Sequence, residues 1–168
     1  MDSIKELLKQ LEGKSLLIKP KRGYFGIGFY KPKFEVNLGT LFRSAYIFGA
    51  SFVFTIEGNY KRQNSDTLDV TKHLPLWNFP TIEDMEKSMP SILQTVYVEQ
   101  FSGATPLEEY KHPERAVYIL GNEDTGFSEN ILKGKDVISI TSEKSFSLNV
   151  SVAGSIIMYD RITKSLLK

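Results

Sequence analysis

The spacing of apolar residues changes period several times along the chain. Residues 2–12 place Ile4, Leu7, Leu8 and Leu11 at helical intervals, with Asp2 or Ser3 available as a cap. Ser15–Ile18 reads as a brief strand. Tyr24–Tyr30 is a longer one in which large residues alternate with Gly26 and Gly28, as where another backbone comes close. Pro32 ends it. From Asn37 to Gly49 the period is helical again. Leu38, Leu41, Phe42, Ala45 and Phe48 form the stripe, Asn37 stands at the N-cap position, and Gly49 is the stop. Arg43 points away from that stripe, on the side of Gly39, Thr40 and Tyr46.

Ser51–Ile56 is apolar on both faces, as a central strand would be. A polar stretch, 58–69, follows as an exposed loop, then a short apolar run, Leu74–Phe79, that contains Trp77. Thr81 followed by Asp84 caps a helix to about Met89. Three more strands are expected at Thr95–Glu99, Ala116–Leu120 and Val137–Ile140, with a short helix at Pro106–Tyr110. The last apolar pattern, Val152, Ile156 and Tyr159, predicts a C-terminal helix with one buried stripe, entered through the loop Ser147, Leu148, Asn149 and Ser151. That loop is readable as an ordinary helix cap or as a place to hold a polar small molecule.

Strands alternating with helices predict an α/β domain with a mainly parallel sheet flanked by helices. At 168 residues a single domain, 1–168, is expected, with 1–20 as an N-terminal helix and extension and no separate RNA-binding domain. Apolar runs are far shorter than the roughly 20 residues of a membrane-spanning helix. No secretory leader pattern opens the chain, so a cytoplasmic location is the expectation. Cysteine is absent, which excludes disulfides, thiolate metal sites and cysteine nucleophiles. The two histidines are far apart, and no metal site is expected.

The net charge of +1 hides an asymmetry: residues 1–80 carry 12 Lys and Arg against 7 Asp and Glu. The basic clusters at Lys19, Lys21 and Arg22, at Lys31 and Lys33, and at Lys61 and Arg62 are candidate phosphate contacts. In parallel sheets ligands lie beyond the carboxyl ends of strands, which directs attention to Glu99, Leu120 and Ile140. The polar groups and glycines near such ends are Asn37, Arg43, Gly121, Asn122, Glu123, Gly126, Ser147 and Asn149. There is no phosphate-binding Gly-Lys-Ser/Thr loop, no Gly-x-Ser-x-Gly elbow and no histidine near a candidate serine nucleophile. A Glu, two Asn, a Ser and an Arg suit positioning and charge stabilisation better than covalent catalysis.

Three stretches carry a family resemblance. They are Asn37-Leu-Gly-Thr-Leu-Phe-Arg43 through Gly49, Leu120-Gly-Asn-Glu123-Asp-Thr-Gly126-Phe-Ser128, and Ser147-Leu-Asn149-Val-Ser-Val-Ala153 through Tyr159-Asp160. In this order they resemble the motifs of SpoU/TrmH-type RNA ribose 2′-O-methyltransferases of the SPOUT superfamily. The resemblance implies S-adenosylmethionine as methyl donor, a C-terminal deep trefoil knot, and a homodimer in which Arg43 comes from the subunit opposite the cofactor loops. It implies a catalytic set of Arg43, Asn37, Glu123, Asn149 and Ser147. Cofactor contacts would come from Val98, Glu99, Leu120, Gly121, Asn122, Gly126, Ile140, Ser147 and Leu148. RNA contacts are assigned to Arg22, Lys31, Lys33, Lys61 and Arg62, and the compact chain favours tRNA over rRNA. The alternatives are a catalytically silent RNA-binding protein of the same fold and a methyltransferase acting on protein or a small molecule.

Overall fold

The computed structural model describes residues 23–62, 64, 67–144 and 146–166. The helix expected at 2–12, the strand expected at 15–18, and Lys19, Lys21 and Arg22 lie outside the described residues. Among the described residues seven strands form one sheet: β1 (Tyr24–Tyr30), β2 (Phe52–Ile56), β3 (Leu76–Phe79), β4 (Gln94–Val98), β5 (Thr105–Pro106), β6 (Arg115–Leu120) and β7 (Asp136–Ser139). Their order is β3-β2-β1-β6-β4-β7-β5. Every pairing is parallel. The helices are α1 (Glu35–Ile47), α2 (Ile82–Ser88), α3 (Glu129–Leu132) and α4 (Val150–Leu166).

Successive strand residues point to opposite faces, so each face has its own core. Phe25, Ile27 and Phe29 of β1, with Ala116, Tyr118 and Leu120 of β6, pack beneath α1 and α4 through Leu38, Leu41, Phe42, Ala45, Ile157 and Met158. On the other face Phe52, Phe54, Tyr97, Val117 and Ile119 meet Ile82 and Met85 of α2 and Leu132 of α3. Gly26 and Gly28 point to this second face. A Cβ on Gly26 would fall 2.1 Å from the Phe52 ring, and one on Gly28 would fall 2.2 Å from the Phe54 carbonyl and 2.6 Å from its ring. The glycines expected to admit a backbone therefore mainly admit two aromatic rings of the adjacent strand.

Helix α1 ends as its glycine foretells. Gly49 adopts φ 77°, and Ala50 and Gly49 donate to the carbonyls of Ala45 and Tyr46 at 2.9 and 3.1 Å. Its start differs from expectation. The N-cap is Phe34, without a side-chain cap bond, and Asn37 lies inside the helix. The Thr81 cap of α2 is present, its hydroxyl accepting from Asp84 N at 3.0 Å.

Two further expectations fail. Pro106–Tyr110 is not a helix: Thr105–Pro106 pairs with β7, Leu107 N donates to Ser139 O at 2.8 Å, and the rest forms turns. Pairing at the sheet edge outweighs a weak local helical pattern. The stripe Val152, Ile156, Tyr159 is not the buried face of α4. Val152 and Tyr159 are exposed, whereas Val150, Ser151, Ile157 and Met158 are buried. A small residue, Gly154, sits at the contact, where a Cβ would lie 2.3 Å from Leu41 and 2.9 Å from Leu120. Close packing thus puts the smallest residue at the contact, with Ile157 and Met158 buried along the helix and Ile156 half-buried at its side. The run Leu74–Phe79 contains the edge strand β3.

Cross-contacts from α1 to α4 advance together: Asn37 with Asn149, Ser44 with Ser155, Phe48 with Tyr159. The two helices therefore run parallel, side by side on one face of the sheet. This places the loop before α4 beside the start of α1, at the carboxyl ends of the strands.

Candidate active site

Three loops meet beyond β1, β4 and β6, and their contacts are built on carboxylates accepting backbone N–H groups. Lys31, just past β1, has φ 48°, a left-handed turn that redirects the chain toward α1. Lys33 N and Phe34 N then donate to the Glu123 carboxylate at 2.9 and 3.3 Å. Asn37 Nδ2 donates to the same group at 3.1 Å. Glu123, ninety residues away in sequence, thereby supplies the cap that Phe34 lacks, a negative charge at the helix N-terminus where such charge is favoured.

Asn37 continues the connection. Its Oδ1 accepts from Asn149 Nδ2 at 3.0 Å. Asn149 Oδ1 in turn accepts from Ser151 N at 2.9 Å, Ser151 Oγ at 2.6 Å and Val152 N at 3.3 Å, which makes Asn149 the cap of α4. Glu123, Asn37 and Asn149 thus form one hydrogen-bonded line through all three motif stretches. The amide of Asn37, buried in α1, spends its donor on one neighbour and its acceptor on the other.

The loop after β6 is closed on itself. Asn122 Oδ1 accepts from Asp124 N and Thr125 N at 2.9 and 3.0 Å, and Asn122 Nδ2 donates to Lys31 O at 2.6 Å. Glu99, just past β4, lays its carboxylate against this loop and accepts from Phe127 N at 3.0 Å and Gln100 N at 2.9 Å. A Cβ on Gly126, which has φ 58°, would lie 2.2 Å from Glu99, and one on Gly121 would lie 2.8 Å from it. These two glycines make room for a carboxylate of the protein itself, at a site where exposed loop amides were the expectation.

Beside the line lies a cavity of about 370 Å³, a size typical of small-molecule sites. Val98, Glu99, Leu120, Gly121, Asn122, Gly126, Ile140, Ser147 and Leu148 all line it, together with Glu123, Leu132, Val150 and Ala153. One wall is apolar, from Leu120, Leu132, Ile140 and Ala153, and the rim carries the backbone of the Gly121–Phe127 loop and the Glu99 carboxylate. Each Glu99 oxygen accepts one N–H and keeps a second lone-pair direction. Gln100, Phe101, Thr125 and Phe127 also line the cavity and were not singled out from sequence. Position just past a strand end, the signal that marked Glu99, extended equally to Gln100.

Arg43 is not part of this constellation. It lies six residues beyond Asn37, hence about 9 Å further along the axis and about 120° around the helix. It is exposed and does not line the cavity of its own chain. Of the expected RNA contacts, Lys33 pairs with Asp124 and Lys31 with Glu57 at 3.2 Å, both beside the Glu123 loop. Arg62 pairs with Asp69 at 3.4 Å on another part of the surface, and Lys61 is exposed in the same loop. Among the described residues no cluster of three or more His, Asp or Glu is arranged to hold a metal, and no helix is long and apolar enough to cross a membrane.

Residues 25–159 match the SpoU rRNA Methylase family. The mouse protein TARBP1, a tRNA (guanosine(18)-2'-O)-methyltransferase, is 26% identical over 141 residues, which is 78% of this chain and 9% of that protein. A TrmH/SpoU tRNA modifying enzyme of A. aeolicus superposes with a TM-score of 0.75 at 20% identity, covering 96% of this chain and 84% of that one. An AdoMet-bound rRNA methyltransferase of Sinorhizobium meliloti superposes with a TM-score of 0.72 at 20% identity, covering 88% of this chain and 59% of that one. The two structural likenesses are of fold. The family match spans most of the sequence, and the chain belongs to the SpoU rRNA Methylase family.

Proposed function

We propose that this family member transfers a methyl group from S-adenosylmethionine to a ribose 2′-hydroxyl of RNA, with tRNA favoured over rRNA. The observation that carries the reading is the line Glu123–Asn37–Asn149, which joins the three motif stretches at the rim of a cavity beyond the carboxyl ends of parallel strands. The likeness to tRNA-modifying relatives supports the preference for tRNA.

The residues present suit the cofactor. The apolar wall of Leu120, Ile140 and Ala153 fits a flat heterocycle, and the open lone pairs of Glu99 fit hydroxyl or ammonium donors. When bound, S-adenosylmethionine supplies an activated methyl on a sulfonium. The chain's own work is placement. Asn149 fixes the loop carrying Ser147 and Leu148, and Glu123 fixes the start of the helix that carries Arg43. Because the Glu123 carboxylate already accepts three N–H groups, it is assigned to holding the site. Arg43, whose guanidinium carries donors only, donates to the phosphate and to the developing alkoxide of the target ribose, whose proton passes to water.

We further propose a homodimer in which Arg43 reaches the partner's cavity. Val36, Thr40, Arg43 and Ile47 form an outward row on α1, and Val152 and Tyr159 continue it on α4. Val36 is 55% and Ile47 62% exposed, an apolar surface that a second copy would cover. The C-terminal segment is proposed to be threaded as a knot, the whole chain to act as one domain, and the location to be cytoplasmic.

The test is transfer of labelled methyl from S-adenosylmethionine to tRNA and rRNA, with mass-spectrometric mapping of the modified ribose. Arg43→Ala should reduce transfer by about a hundred-fold or more without unfolding the protein. Absence of cofactor binding by calorimetry would overturn the reading. RNA binding indifferent to both cofactor and Arg43 would favour a silent RNA-binding protein.

A further inference from the structure

Arg43 faces outward between two unlike flanks of α1. On one flank α4 packs against Asn37, Leu41, Ser44 and Phe48. On the other lie Tyr60 and His73. There Tyr60 meets Phe42 edge-on with 5.1 Å between ring centres, and His73 lies against Tyr46 at 4.9 Å with 31° between ring planes. The first pair is anchored, since Phe42 is fully buried. The second is not: Tyr46 is 40% exposed and His73 is also exposed.

The Tyr46–His73 pair holds little of the fold, yet its position is specific. Tyr46 follows Arg43 by three residues, about 4.5 Å along the axis and about 60° around it, toward Tyr60 and His73 and away from α4. Next to the pair, Lys72 and Arg62 both reach the carboxylate of Asp69, at 2.9 and 3.4 Å. Both cations lie beside two partly exposed rings, which pack on each other and keep their outer faces toward solvent. Exposed aromatic faces bordered by Lys and Arg side chains take unstacked nucleobases, with the cations on the phosphates of the same strand.

We propose that Tyr46 and His73 form a stacking platform for the nucleobase adjacent to the methylated nucleotide, with Lys72 and Arg62 steering its phosphates. The proposal rests on the methyl-transfer reading and narrows its substrate to a nucleotide in a single-stranded loop or end. A base held within a duplex cannot lie on these rings. The platform is on the opposite flank of Arg43 from α4, so it stays open when a second copy covers Val36, Ile47, Val152 and Tyr159.

The experiment uses the full chain with a fluorescein-labelled mixed-sequence single-stranded RNA and a duplex of equal length. Tyr46→Ala should weaken single-strand binding by about five-fold to a hundred-fold, leave duplex binding unchanged, and leave the salt dependence as in the parent. Tyr46→Phe should restore binding. His73→Ala, at a loop position, should weaken it in the same direction and serves if Tyr46→Ala does not fold. Lys72→Ala should instead flatten the salt dependence. With a tRNA substrate, Tyr46→Ala should raise KM more than it lowers kcat. Unchanged single-strand affinity in both ring variants, failure of Tyr46→Phe to rescue, or a change in molar mass by light scattering would overturn the platform. Calorimetry with S-adenosylmethionine separates the two readings: the parent binding cofactor while RNA ignores Tyr46 sinks the platform alone, whereas ring-dependent RNA binding without cofactor binding sinks methyl transfer alone.

Discussion

The two ends of the sheet tie α4 down by opposite means. At the carboxyl end, Glu123, Asn37 and Asn149 link three loops, and the carboxylate spends itself on N–H groups at a part-open surface. At the amino end, the link is a directed chain of side chains. Arg161 donates to Tyr118 Oη at 3.1 Å, and Tyr118 meets His112 Nδ1 at 2.6 Å. His112 Nε2 meets Asp160 at 2.8 Å, and Lys164 pairs with the same carboxylate at 2.8 Å. Since an ionised carboxylate only accepts, the proton is on Nε2 and Tyr118 donates to Nδ1. The His112 side chain is 5% exposed. Burial holds its pKa below the ordinary imidazole value against the opposing pull of Asp160, and burial pushes the Tyr118 hydroxyl up to about 12.

The contrast separates what holds the molecule from what equips it. A closed chain in which each donor already has its acceptor keeps no polar group in reserve, even with a cavity of about 490 Å³ beside it, and its loss leaves buried groups unpaired. The carboxyl end keeps lone pairs of Glu99 free beside its cavity, so its polar groups contribute less to stability and more to recognition.

The sharpest break of the contrast is His112→Ala. It leaves the buried Tyr118 hydroxyl without an acceptor and takes from Asp160 one of its two partners, and should cost about 2–4 kcal/mol in denaturant unfolding, with methyl transfer retained by the folded fraction. A cost under about 1 kcal/mol would contradict the structural assignment. Next in size is a pH effect. Because the folded pKa of His112 is depressed, the unfolded chain takes up the proton first as pH falls. Stability is full above pH about 6.5 and declines as pH drops through the folded value. Unfolding titrations should show this slope in the parent and lose it in His112→Gln.

At the other end, Asn149→Ala removes a helix cap and should cost about 1 kcal/mol. Asn149→Asp keeps the cap but loses the N–H donated to Asn37, so it should recover stability and not transfer activity. Recovery of both would reduce Asn149 to a cap. The smallest effect is expected for Lys33→Ala, whose exposed ion pair with Asp124 contributes within about 0.5 kcal/mol. A larger loss would show that the carboxyl end is as structural as the amino end.

Legibility followed the range of the forces involved. The strands β1, β2, β4, β6 and β7 could be read to within a residue or so, because β-branched and aromatic runs between turn residues need no distant partner to be recognised. Gly49 and Thr81 could be read for the same reason: their bonds close within a few residues. The edge strand β3 and the short pairing β5 could not, since they exist only by leaning on β2 and β7. The start of α1 and the buried face of α4 were misread where a remote group decided them.

The sequence by itself determined an alternating α/β chain, the glycines and polar residues of three motif stretches, and a basic first half. Tertiary structure alone decided that Glu123 caps a helix from another loop, that Asn37 works inside α1, that Gly121 and Gly126 yield to Glu99, and that Gly154 rather than Val152 faces the core. The physical reason is common to all four. Each turns on one hydrogen bond or one close contact between residues far apart in the chain, and local periodicity carries no record of which distant atom will arrive.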